Sequence, residues 1–146
     1  MTGEQMQIGE VSERTGLSLR TIRHYEEVGL VAPSTRSKGG FRLYGEADVD
    51  RLHVVKRMKP LEFTLEEMAD ILGLLADLDG DQHRADRQAL VDRLEMYREA
   101  TAHRVDALRQ RWESADRFAE DLNARLRRPV SSPAPRRHQD QDRDPS

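Results

Sequence analysis

The chain has 146 residues, with 24 Lys and Arg against 27 Asp and Glu, a formal net charge of −3 that, taken whole, argues against nucleic acid as a partner. Only 36% of residues are hydrophobic while 35% are charged, so one compact core built from the whole length is not expected. The absence of cysteine removes disulfides, thiolate metal sites and cysteine nucleophiles; with no run near the ~20 apolar residues that cross a bilayer and no leader pattern in the first ten, the expectation is a cytoplasmic protein without membrane contact.

In chain order, Ile8, Val11 and Ser12 predict a short helix to Thr15, followed by Gly16-Leu17-Ser18. Ser18 is placed to cap a second helix. Leu19, Ile22, Tyr25 and Val28 recur there at steps of three, and Gly29 suits a left-handed helix end. Two short helices around a Gly-containing turn form a helix-turn-helix pattern, whose second helix fits a major groove. Ser34 to Gly40 is polar and ends in Gly39-Gly40, after which Phe41-Arg42-Leu43-Tyr44 alternates as a strand, so a β-ribbon is expected. Val49, Leu52, Val55 and Met58 give a helix over 46–58 that Pro60 stops. Thr64 and Glu67 form a capping box opening a helix through Met68, Ile71, Leu72 and Leu75.

Farther on, Leu90, Leu94, Tyr97, Thr101, Val105, Leu108, Trp112, Ala115, Ala119, Leu122 and Leu126 recur at steps of three and four, with one stutter between Thr101 and Val105. A helix over 84–126 would run roughly 65 Å. Its narrow apolar stripe calls for an equal partner, so residues Leu90 to Leu122 of this seam are assigned to homodimerisation. The expected fold is mainly α: a winged helix-turn-helix head at 1–75, a linker at 76–83, the coiled-coil helix at 84–126 and a disordered tail at 127–146.

The charge is unevenly spread along the chain. Residues 1–60 carry +2, residues 61–126 carry −7 and residues 127–146 carry +2, while Arg14 to Lys59 alone is +5. On the second helix Arg20, Thr21, Arg23 and His24 fall away from the apolar stripe. Arg20 and Thr21, beside the capping Ser18, suit base edges; Arg23, His24 and the Tyr25 hydroxyl suit phosphate. The ribbon adds Arg36, Lys38, Gly40, Phe41, Arg42 and Tyr44, and Lys56 and Lys59 close the basic surface. The plain alternative is that these arginines only solvate exposed helix faces.

The segments Ile8-Gly9-Glu10-Val11, Thr15-Gly16-Leu17-Ser18, Thr21 to Leu30, Gly40-Phe41-Arg42-Leu43-Tyr44 and Phe63 to Met68 closely resemble the MerR family of bacterial transcription regulators. The resemblance covers about residues 6–75. It implies a homodimer that binds double-stranded promoter DNA between the −35 and −10 elements and untwists an overlong spacer for RNA polymerase holoenzyme. It also implies a nucleoid location, a coil that joins two heads in antiparallel fashion, and an effector near the end of that coil. Three departures stand out. His24 occupies a position where relatives carry an aromatic, so a phosphate contact there would weaken above about pH 7. Glu62 stands where relatives favour Gly, after Pro60. Metal-sensing relatives place cysteines near the coil end, and this sequence has none, which excludes thiolate sensing of mercury, copper or zinc.

Drug-sensing relatives carry a large extra ligand domain, whereas 20 residues follow Leu126. A small-molecule effector would therefore use the coil or head, or there is none. Tyr97, Trp112 and Phe118 could stack on a flat ligand, but packing in a dimer core is the commoner use of such residues. His83, His103 and His138 are scattered rather than spaced for a metal, and Arg136-Arg137-His138 could brush DNA or the acidic coil. No cofactor is expected, and no enzymatic motif is found. Three readings stay open: a promoter-distorting regulator, an effector-independent repressor or architectural DNA bender, and a coiled-coil module that binds a protein. Steep salt dependence of DNA binding separates the last from the others.

Overall fold

A computed structural model describes residues 5–80 and 84–130. It divides into two compact units, Met1–Leu108 and Arg109–Ser146. The first unit begins with β1 (Met6–Gln7), α1 (Ile8–Thr15), α2 (Leu19–Glu27), β2 (Thr35–Arg36), β3 (Arg42–Tyr44) and α3 (Glu46–Met58). A 3₁₀ turn (Lys59–Leu61), α4 (Leu65–Leu78) and the start of α5 (Arg84–Arg127) complete it.

The helix-turn-helix is fixed by local chemistry. Gly16 ends α1 with φ 72°, a left-handed conformation that a side chain would strain, and its N–H donates to Ser12 O. A Cβ at Gly16 would also stand 3.0 Å from Lys56 Nζ. Ser18 Oγ accepts the Thr21 N–H at 3.1 Å and so caps α2. Gly29 follows α2 at φ 74°, letting Leu30 and Val31 turn back into the core while their N–H groups reach Tyr25 O. Within α2 the stripe is narrower than expected. Ile22 and Tyr25 are buried, but Leu19 and Val28 are about 40% exposed, at 39% and 42%.

The three strands order β1-β3-β2, all antiparallel, with Met6 opposite Tyr44 and Arg36 opposite Arg42. The ribbon of β2 and β3 is the wing. Asp48, buried at the start of α3, holds its base: the carboxylate accepts the Gly45 N–H at 2.8 Å and the Ser34 N–H at 3.1 Å, and also the Ser34 hydroxyl. One core joins these parts, with Val11, Ile22, Tyr25, Tyr44, Val49, Leu52 and Val55 at its centre, closed by Phe63 just before α4 and by Met68, Ile71 and Leu72 on it.

Pro60 ends α3 as expected, and the chain turns through Glu62, the one non-glycine among the described residues with positive φ, at 61°. Thr64 Oγ1 then accepts the Glu67 N–H at 3.1 Å while Glu67 Oε1 accepts the Thr64 N–H at 3.0 Å, the capping box that starts α4. Two boundaries are corrected. α4 continues to Leu78, so 76–78 are helical rather than linker, and α5 ends at Arg127, one residue past the expected coil. His83 and residues 131–146, with Arg136, Arg137 and His138, lie outside the described residues.

Candidate nucleic-acid interface

The outer face of α2 carries the expected cations. Arg20, Arg23 and His24 are exposed and Thr21 is half-buried. With Glu27 and Lys59 they line an open depression of about 540 Å³, and Lys59 Nζ stands 5.6 Å from the centre of the Tyr25 ring. Ser18 Oγ and Thr21 Oγ1 are 2.8 Å apart, so the two hydroxyls at the head of the helix satisfy each other. Arg23 and His24 reach outward because they lie between Ile22 and Tyr25, both of which the core takes, and Arg20, two residues before Ile22, falls on the same outer side.

The wing presents Lys38, Gly40 and Phe41 at its tip, with Phe41 64% exposed. The tip is closed by Ser37 N–H to Phe41 O and Gly40 N–H to Ser37 O, both 2.9 Å. Arg36 and Arg42 stand on facing strands and share one carboxylate, Glu26 of α2. Arg36 Nη2 donates to Glu26 Oε1 at 2.8 Å and Arg42 Nε to Glu26 Oε2. The Glu26 hydrogen bond raises the Arg42 pKa further above its ordinary value, so this cation stays charged.

Three expected contacts sit elsewhere. Tyr25 and Tyr44 are 2% and 0% exposed, with both hydroxyls buried and unpartnered among the described residues, so the structure places them in the core rather than on the basic face. The reason is periodicity: Tyr25 lies three residues after Ile22, and strand alternation turns Tyr44 inward against β1. Burial pushes the Tyr44 phenol pKa up. Lys56 instead donates 2.8 Å to Thr15 O, placing its charge at the carbonyl end of α1 and tying that helix to α3. Glu26 and Glu27, to which the sequence reading gives no role of their own, stand among these cations. The contacts from Glu26 to Arg36 and Arg42 join residues 10 and 16 apart and leave no periodic trace.

The base of α5 also departs from the expected seam. Tyr97 is packed against its own head: its ring meets Phe63 edge-on at 6.4 Å and its hydroxyl donates 2.5 Å to Asp70. Arg93 donates to both Asp70 oxygens at 2.6 Å. Arg104 donates 3.2 Å to Leu61 O and 3.2 Å to Glu67, with its guanidinium 4.2 Å from the centre of the Phe63 ring. The Tyr97 hydrogen bond, reinforced by Arg93, holds the Asp70 carboxyl below its usual pKa, and the same bond raises that of Tyr97. An open cavity of about 310 Å³ lies here, lined by Glu67, Asp70, Arg93, Met96, Tyr97 and Ala100. Leu90, Leu94 and Thr101 are half-buried. Val105 and Leu108 are 38% and 37% exposed, and Trp112, Ala115, Ala119 and Leu122 are exposed.

Residues 6–74 match the family described as MerR HTH family regulatory protein. The chain is 32% identical over 124 residues to the HTH-type transcriptional regulator YfmP of Bacillus subtilis, covering 82% of this chain and 89% of that one. It is 42% identical over 71 residues to the mercuric resistance operon regulatory protein of Bacillus cereus, covering 49% of this chain and 54% of the relative. The chain spans about half the length of the first curated relatives it matches. Among solved structures, a MerR family regulator from Listeria monocytogenes superposes with TM-score 0.58 at 27% identity, over 83% of this chain and 88% of that one. HiNmlR, a MerR family regulator bound to promoter DNA, shares the fold with TM-score 0.54 at 20% identity, over 84% of this chain and 88% of that one. These relatives and fold neighbours are transcriptional regulators, not enzymes.

Proposed function

Because the chain belongs to the MerR family of helix-turn-helix transcriptional regulators, we propose that it is a homodimeric, sequence-specific DNA-binding protein that controls transcription by bending and untwisting promoter DNA. The observation that carries this reading is the outward row of Arg20, Arg23, His24 and Lys59 around one depression, beside an exposed wing tip of Lys38 and Phe41. Arginine offers a bidentate fork to guanine edges or phosphate, and a wing beside the recognition helix reaches the neighbouring groove or backbone. Two such heads, joined through the seam of α5, would meet a two-fold site one helical turn or more apart. Deformation of the DNA between them would supply specificity at base pairs that no side chain touches.

RNA polymerase holoenzyme at the same promoter, the cytoplasm and the nucleoid as the place of action, and a small-molecule effector belong to the same proposal. The mercuric resistance regulator is named for a metal; this chain has no cysteine, so an effector here would be held by other chemistry. The exposed Arg20 and Arg23 favour DNA over a protein partner for the head. Selecting genomic fragments bound by the full chain, and measuring the spacing of promoter elements beneath the footprint, tests the mode of control. An overlong spacer supports activation by untwisting. An ordinary spacer supports the effector-independent repressor, and failure to enrich any duplex contradicts the DNA-binding reading.

A further inference from the structure

One carboxylate ties the wing to the recognition helix. Glu26 stands in the last turn of α2 with its side chain only 15% exposed, and both of its oxygens are engaged, one by Arg36 and one by Arg42. Arg36 and Arg42 are the facing pair of β2 and β3, so a single group clamps both strands at the same rung. Arg36 also donates 3.3 Å to Gly40 O, extending the clamp to the tip. Pairing of Arg42 through Nε leaves the two Nη groups of the same planar fork for a second acceptor. The two arginines keep 52% and 32% of their side-chain surface exposed.

We propose that Glu26 is a positioning residue for DNA binding, which sets the wing against the recognition helix and pre-orders the Arg36 and Arg42 forks for phosphate oxygens. The inference rests on the DNA-binding reading above. It predicts an effect of opposite sign to bare electrostatics. Removing a negative charge from a surface that meets a polyanion should by itself tighten binding. Losing the order of two long side chains makes binding them more costly, because their rotamer freedom must then be given up on the DNA. With both arginines and the wing angle affected in each head, the ordering effect is the larger, and affinity should fall about tenfold.

The test uses the full chain and a labelled duplex taken from the selected genomic fragments, with affinity read by fluorescence anisotropy at several salt concentrations. Glu26→Gln keeps the shape, and Glu26→Ala removes the group; thermal unfolding followed by circular dichroism establishes that each variant is folded at the assay temperature. Both should bind about tenfold more weakly. The loss should shrink to less than about twofold when Glu26→Ala is placed in a chain already carrying Arg36→Ala and Arg42→Ala, because there is then nothing to position. Binding equal to or tighter than that of the unaltered chain, or an undiminished loss without the two arginines, overturns the inference. If Glu26→Ala does not fold, Glu26→Gln with the same background decides. An unaltered chain that binds no duplex refutes the DNA-binding reading itself, and this proposal with it.

Discussion

The two units of the chain treat apolar residues in opposite ways. Among the described residues of the unit Met1–Leu108 every buried hydrophobic falls between Met6 and Leu74, and one core fastens β1, β3, four helices and the base of α5. In the unit Arg109–Ser146 every described residue is exposed, although Trp112 and Phe118, both 64% exposed, and Leu122 recur along the helix. A lone amphipathic helix gains little from its own propensity and takes its stability from what covers its apolar stripe. The contrast teaches that the head specifies its fold within one chain, whereas the distal helix carries a pattern that a second copy of the chain would satisfy.

The largest expected effect comes from breaking that pattern. Trp112→Asp with Leu122→Asp should convert a species of about twice 16.8 kDa into one of 16.8 kDa by sedimentation, and reduce DNA affinity about a hundredfold or more by removing the second head. A pair of aspartates that leaves the mass unchanged would show that the seam lies elsewhere. On the other side of the comparison, Leu52, with no exposure at all, anchors the head. Leu52→Ala should destabilise that unit by about 2–5 kcal/mol in urea unfolding while the distal helix is untouched.

A smaller effect separates local strain from packing. Glu62 holds φ 61° between Pro60 and the α4 cap, a conformation costly to any residue with a Cβ. Glu62→Gly should therefore stabilise the head by about 1 kcal/mol, read as a higher unfolding midpoint; a lower midpoint would mean that other contacts of Glu62 outweigh the strain.

The smallest expected effect is on pH. Asp70 is held below its ordinary pKa, so its stabilising contribution is complete above the unfolded value and is lost as pH falls through the folded one. Tyr97 is shifted upward, so its contribution is present below about pH 10 and is lost as pH rises through its folded value. The difference in melting temperature between the chain and Tyr97→Phe should be steady near neutrality, shrink progressively as pH falls below about 4, and be lost again in strong base. A difference independent of pH would assign Tyr97 a purely apolar role.

Where the sequence and the structure agree, the signals are local. Ser18, Gly29, Pro60 and the Thr64–Glu67 capping box act on backbone within a few residues, and each marks an element end found in the structure. The two-residue strand β1 has no such signal, since Met6 and Gln7 are extended only because β3 lies beside them. Tyr97 and Arg104 illustrate a different limit. A spacing of three and four residues says that one face of a helix is covered, but not whether the cover is the same chain or another, and here Phe63, Asp70 and Glu67 of the same head take it. On α2 the outward exposure of Arg20 and Arg23 is legible because Ile22 and Tyr25 belong to the apolar stripe. For Tyr25 the departure is confined to the hydroxyl, and for Tyr44 it is the whole ring: a phenol suits a phosphate and a core equally well, and burial decides.

The account depends most on the basic face of the head meeting DNA. The direct measurement is the affinity of the full chain for a selected genomic duplex across a range of salt concentrations, read by anisotropy. Two heads with several phosphate contacts each should give a steep line of log affinity against log salt, its slope about 0.9 per contact, and Arg23→Ala should weaken binding and make the line shallower by one or two contacts per dimer. A flat salt response, or a slope and affinity unmoved by Arg23→Ala, would contradict it.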